Sequence, residues 1–270
     1  MLTRSAVARA STLRLGLAIL QKGVAFLSVP LVAAIFGTRG EYESYLVASS
    51  VPTLVVAFIS LGAINIIFIP VFNDYRSNHV EQEAWKFASA VVSVYMVLVL
   101  LISVVGVAAS PLLLRLAAPG LPPDLQELGS RLAMALFLSA IVTGVGSALA
   151  GVLNSYNILV APSACQLAGA ATGVAVVFIL QDTIGPWSLV LSSILTSLIP
   201  VTLMVIIYRK LFRGNLRLTW NIGHPGMKQA MALFVANSVS IVAIRLGDLS
   251  TRFFASLIGP GAIATFDYAN

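Results

Sequence analysis

Seven stretches of this chain are apolar and long: roughly Leu13–Phe36, Tyr45–Phe72, Trp85–Leu116, Leu132–Leu153, Leu159–Leu180, Trp187–Tyr208 and Met227–Ile258. As helices, runs of about eighteen residues or more span the roughly 30 Å hydrocarbon core of a bilayer. Lipid offers no partner for backbone N–H and C=O groups, so only helices and closed barrels cross it. The runs are continuous, without the alternation that barrel strands require. They predict an all-α polytopic membrane bundle of about seven transmembrane helices. Composition excludes the soluble alternative, because 10% of the residues are charged against about 25% in a soluble domain.

The N-terminus carries Arg4, Arg9 and Arg14 ahead of an apolar run, as a signal peptide does. That run is too long, and it lacks a convincing small-residue cleavage site, so it is expected to stay as the first span. One cysteine, Cys165, lies inside an apolar run. It permits no intramolecular disulfide and no paired-cysteine metal site, and no cofactor is expected.

Short cytoplasmic loops carry the excess of Lys and Arg. One side of the predicted bundle collects Arg4, Arg9, Arg14, Arg76, Lys86, Arg209, Lys210, Arg213, Arg217 and Lys228, and the other Arg39, Arg115 and Arg131. This asymmetry predicts a cytoplasmic N-terminus. It also accounts for the net charge of +6 without nucleic acid as a partner. The segment "FRGNLRLTWNIGHPG" reads as a basic loop on the same side, with lying on an anionic lipid surface as its other reading. Prolines 30, 52, 70, 162 and 200 fall within spans, where neighbouring helices or a wet cavity must satisfy the freed carbonyls. Gly169 and Gly173 form a GxxxG pair suited to close helix packing.

Three basic residues, Lys22, Arg245 and Arg252, lie inside spans. On a helix, Arg245 and Arg252 project within about 20° of one another and Asp248 within about 60° of each, forming one stripe. Each such charge costs roughly 2.5–3.5 kcal/mol at mid-bilayer unless it meets protein, water or ligand. Asp248 can pair with either arginine at helical spacing. Lys22 lies about 15 Å into the first span, with Gln21 and Ser28 as a polar flank. Two readings follow. Either Lys22 snorkels to the interface and the stripe locks helices together, or these residues build a cationic cavity for an anion. The arginine fork, which can donate two parallel hydrogen bonds to phosphate, suits the second. The sequence contains no HExxH, GxSxG or P-loop pattern. The two histidines, His79 and His224, fall in predicted loops. Transport explains deep charges better than enzymatic chemistry does.

The stretch "LVAAIFGTRGEYESYLVASSVPTLVVAFISLGAINIIFIPVFNDYR" resembles the opening of the MurJ (MviN) lipid II flippases. The likeness rests on Phe36-Gly37, Glu43, Val47-Ala48 with Pro52, Gly62-Ala63 and Pro70-Val71-Phe72. "AAPG", "GVLNSYNILVAPS" and "RFFASLIGPGAIATFDYAN" extend it along nearly the whole chain. The resemblance implies the multidrug/oligosaccharidyl-lipid/polysaccharide exporter fold, in which two six-helix lobes enclose a cavity that alternates between the two sides. It implies an undecaprenyl-pyrophosphate-linked peptidoglycan precursor as substrate and the bacterial inner membrane as location. Lys22, Glu43 and Arg252 fall where the family has a basic, an acidic and a basic residue, and together with Ser28 and the stripe residues Arg245 and Asp248 they are the expected substrate-binding residues. The chain departs from the family at Ser28-Val29, where an Arg-Asp pair is usual, and at Val56-Ala57 and Leu61, where an Arg-rich turn and a glutamate are usual. Two alternatives therefore stand beside lipid II transport: export of another lipid-linked polysaccharide or amphiphile, and a non-transporting partner of envelope biosynthesis.

Family members have about fourteen spans. Residues 1–212 are expected to form a first lobe of about six helices, 213–226 a cytoplasmic basic loop, and 227–270 the first helix of a second lobe in a truncated chain. Were the chain complete, a homodimer or a separate second lobe would be needed to close the cavity.

Overall fold

A computed structural model describes residues 4–60, 68–78, 81–212 and 246–269. Its helices are α1 (Arg4–Phe36), α2 (Gly40–Ser60), α3 (Ile69–Asn78), α4 (Glu81–Ala117), α5 (Pro123–Ser155), α6 (Val160–Ile184) and α7 (Trp187–Phe212). They are followed by α8 (246–258) and α9 (Ala262–Ala269). Five of them, α1, α4, α5, α6 and α7, are long and apolar enough to cross a bilayer. The chain is a multi-span membrane helix bundle, as the hydropathy predicts.

Differences from the sequence expectation lie at the ends. The second expected span begins earlier than read, with α2 from Gly40, and its far end, in α3, runs on past Phe72 to Asn78. Phe68, Phe72 and Tyr75 explain the continuation, because they bury one face of α3 against Phe87 and Trp85 of α4. The expected seventh span is described from residue 246 onward, where it is helical to residue 258. Arg245 and the basic loop lie outside the described residues.

Helix α5 is the hub, packing against α2, α4 and α7, and 61% of its apolar window is buried. At the periphery, α1 packs against α6, and only 6% of its window is buried. Phe26, Leu27 and Ile19 of α1 are correspondingly exposed, a surface suited to acyl chains.

Two cores fill the two ends of the bundle. The first joins α2 to α5 and to the chain's last two helices, with Val47, Phe137, Leu132, Leu114 and Ile263 at its centre. The second is an aromatic knot of Phe68, Phe72, Trp85, Phe87 and Tyr208 at the opposite end. Tyr156, in the α5–α6 turn, stacks on Trp85 and packs at a tilt against Phe212. Its hydroxyl donates to Glu81 Oε1 at 2.8 Å, and the Arg76 guanidinium sits 4.8 Å above its ring. Burial and the adjacent Glu81 carboxylate push the Tyr156 phenol above the ordinary tyrosine range.

Short turns keep the helices antiparallel. Gly37 (φ 55°) ends α1, and Gly185 (φ 54°) ends α6 while donating its N–H to the Gln181 carbonyl. Both occupy the left-handed C-terminal position that glycine adopts without Cβ strain. The GxxxG face of α6 meets α7: a Cβ on Gly169 would lie 2.6 Å from both the Thr196 carbonyl oxygen and the Pro200 ring. Gly169→Leu is therefore expected to destabilise the α6–α7 pair by about 1–3 kcal/mol, as overpacked interiors do. Denaturant titration of the detergent-solubilised protein would measure this, and an unchanged midpoint would show that the two helices separate freely there.

Candidate anion cavity

The decisive local feature is the turn Gly259-Pro260-Gly261, in which both glycines adopt positive φ (143° and 85°). It folds α9 back along α8. Arg252 lies six residues before the end of α8 and Asp267 five residues into α9, so helical rise sets them about 9 and 8 Å from the turn. At matching depth they form an ion pair, with Arg252 Nη2 3.1 Å from Asp267 Oδ1. Tyr42 of α2 donates its hydroxyl to the other carboxylate oxygen at 3.5 Å. The Tyr42 ring stacks on Phe36, Tyr45 and Tyr268, and the Tyr268 hydroxyl donates to the Gly37 carbonyl at 2.8 Å.

Two cavities flank this pair. The larger, about 580 Å³, lies between α2 and the α8–α9 hairpin and is lined by Ser49, Ser50, Thr53, Asp248, Arg252 and Asp267 among others. The smaller, about 470 Å³, lies among α1, α2, α6 and α7, with Ser28, Tyr45, Ser192 and Thr196 on its wall. Ser49, Arg252 and Asp267 belong to both. Among the described residues that line the larger cavity, Arg252 shares the wall with two carboxylates, Asp248 and its ion-pair partner Asp267. The cavity is polar and hydroxyl-rich, and its one positive charge is outnumbered by two carboxylates among the described lining residues.

The residues expected from sequence fall into different places. Arg252 stands at the divide, Asp248 lines the larger cavity and Ser28 the smaller. The Ser28 hydroxyl also donates to the Ala25 carbonyl of its own helix at 2.6 Å. Lys22 is exposed on α1 outside both linings. It precedes Ala25 by three residues and Val29 by seven, which places it on the α1 stripe that carries these wall residues. Arg245 lies outside the described residues.

Glu43 is placed differently from the other candidates. It is 2% exposed, and its Oε1 accepts the backbone N–H groups of Ile263 (2.8 Å) and Ala264 (3.3 Å). These are first-turn donors of α9 without intrahelical partners, and a carboxylate there also meets the positive end of the helix dipole. Glu43 thus anchors the α8–α9 hairpin to α2. Gly120 adds a second attachment, donating its N–H to Ser256 Oγ at 3.3 Å. A Cβ on Gly120 would overlap the Ser256 backbone carbonyl, so the two segments touch main chain to main chain.

Asp267, Tyr42 and Ser49 were not singled out from the sequence. The signal for Asp267 was present in the Gly-Pro-Gly turn, since counting equal distances to either side brings residues 252 and 267 together.

The family described as "Lipid II flippase MurJ" matches residues 32–270. The chain belongs to this family. The lipid II flippase MurJ of Burkholderia cenocepacia is 24% identical over 250 residues, covering 89% of this chain and 48% of that protein. The probable lipid II flippase MurJ of Synechocystis is 26% identical over 264 residues, covering 93% and 49%. This MurJ-family chain therefore spans about half the length of the curated relatives it matches. A solved structure of the lipid II flippase MurJ in an inward closed conformation superposes with a TM-score of 0.76 at 17% identity, over 96% of this chain and 53% of that one. That match shows the MurJ helix-bundle fold.

Replacing Glu43 by Ala is expected to free the α9 amides and to destabilise the hairpin by about 1.5–3 kcal/mol, the range for hydrogen bonds to a charged group. Hydrogen exchange at Ile263 and Ala264 should then accelerate by more than about tenfold. Unchanged exchange would show that α9 holds its position without the carboxylate.

Proposed function

We propose that this chain is the cavity-forming first part of a lipid II flippase, moving an undecaprenyl-pyrophosphate-linked glycan across the bacterial inner membrane by alternating access. The observation that carries the reading is Arg252, the arginine common to both cavities in a MurJ-family lobe. In a medium of low dielectric, a guanidinium attracts a phosphate more strongly than it does in water. Arg252 receives the pyrophosphate together with Arg245 and Lys22, while the hydroxyls of Ser49, Ser50 and Thr53 and the flank at Ser28 contact polar parts of the headgroup. The polyprenyl tail stays in lipid beside α1, whose exposed apolar side chains suit it. Binding and movement of the substrate suffice for this activity, so the protein acts as a transporter and not as an enzyme.

Residues 1–212 form the first lobe in this reading, and residues 227–270 begin the second, the rest of which is supplied by a longer chain or a partner copy. The N-terminus faces the cytoplasm, by the distribution of Lys and Arg. The Glu43 anchor then closes the opposite, outer end of the cavity.

Export of a different lipid-linked glycan is the second reading. It is favoured by the two carboxylates that share the larger cavity with Arg252. Rescue of a flippase-depleted strain separates the two, since only a lipid II carrier restores wall synthesis.

The full-length protein carrying Lys22→Ala, Arg245→Ala and Arg252→Ala together, reconstituted in vesicles, is expected to lose lipid II flipping. A normal rate would overturn the role of these cations. Arg252→Lys, which keeps the charge without the planar fork, is expected to retain part of the activity.

A further inference from the structure

We infer that Asp267 is the release residue of this anion site, an internal carboxylate that competes with the substrate phosphate for Arg252. The inference rests on the flippase reading above. Three observations lead to it. Arg252 is held through one arm: Nη2 contacts Asp267, while Nη1 is buried and, among the described residues, has no hydrogen-bond partner. Asp267 thus leaves a buried donor of Arg252 unmet, and a phosphate that draws the guanidinium out into the cavity and accepts from both arms offers Arg252 more than Asp267 does. The pair is also positioned to exchange partners, because the two side chains are 21% and 32% exposed and line both cavities. Finally, Asp267 has a resting place when Arg252 leaves it. The Tyr42 hydroxyl already reaches its second oxygen, and the stack with Phe36, Tyr45 and Tyr268 fixes the Tyr42 ring.

A carrier must bind its cargo and then let it go. An arginine in a low-dielectric cavity would hold a pyrophosphate too firmly for rapid turnover unless a carboxylate competed for it, and of the two carboxylates on the larger cavity's wall Asp267 is the one shown ion-paired to Arg252. Asp267, carried on the same hairpin and at the same depth, supplies the counter-charge that takes Arg252 back as the cavity changes shape. It acts as a positioning residue, through Arg252 and not through the substrate.

Removing the carboxylate should therefore tighten binding and slow transport, a combination that loss of a purely structural ion pair does not produce. The test uses the full-length protein as wild type, Asp267→Asn, Asp267→Ala and Arg252→Gln. Inorganic pyrophosphate is titrated by calorimetry in detergent, and lipid II flipping is followed in vesicles. Asp267→Asn and Asp267→Ala are expected to bind pyrophosphate about tenfold tighter than wild type and to flip more slowly at saturating substrate. Arg252→Gln is expected to lose pyrophosphate binding. If both Asp267 variants bind no tighter than wild type while Arg252→Gln loses binding, Asp267 is a structural partner and the inference fails, with the anion site intact. If Arg252→Gln binds as wild type does, the anion site itself is overturned and the inference with it.

Discussion

Hydrocarbon leaves charges and backbone polar groups to be satisfied by the protein, and the arrangement of this chain follows from that constraint. The turn at Gly259-Pro260-Gly261 creates new helix ends within the bundle. The α9 end is satisfied by Glu43, whose carboxylate is among the few buried charged groups of the described residues. Once Glu43 fixes α9 on α2, Tyr42 comes beside Asp267 and Tyr268 reaches the α1–α2 turn. The polar site at the cavity divide is therefore a consequence of how one helix terminus is capped.

The hub-and-periphery packing explains why a cavity persists beside this site. Helix α5 is surrounded by α2, α4 and α7, and Gly106 of α4 admits the Phe137 ring so closely that no side chain would fit there. In contrast, α1 rests on α6. The space between α1 and α2 is bounded by small or hydroxyl-bearing residues such as Ala25, Ser28 and Ser49, which do not fill it. A bundle with a well-packed centre and an edge helix that rests mainly on one neighbour keeps volume open between its helices.

The site has a balanced electrostatic character. A cavity with arginine alone would bind anions tightly, and one with aspartates alone would exclude them. Here the two signs sit on adjoining helices, linked by a single arm of one guanidinium. Small movements of the hairpin relative to α2 would change which partner Arg252 faces.

The sequence by itself determined the class of fold, because apolar runs of bilayer length leave the backbone little choice but helix. It located α4, α6 and α7 closely, and it marked Arg252 and Asp248 as charges needing a reason. Motif spacing also brought the family within reach. The sequence could not show that Glu43 caps a helix 220 residues away, because helix-end satisfaction is local in geometry and unrelated to distance along the chain. Nor did it reveal Asp267, whose importance comes from a chain reversal that sets two positions at one depth. The continuation of the second span past Phe72 to Asn78 likewise depended on aromatic contacts with α4, which hydropathy does not encode. Tertiary structure decided which charges meet, since pairing across helices depends on depth and facing that only the packed bundle fixes.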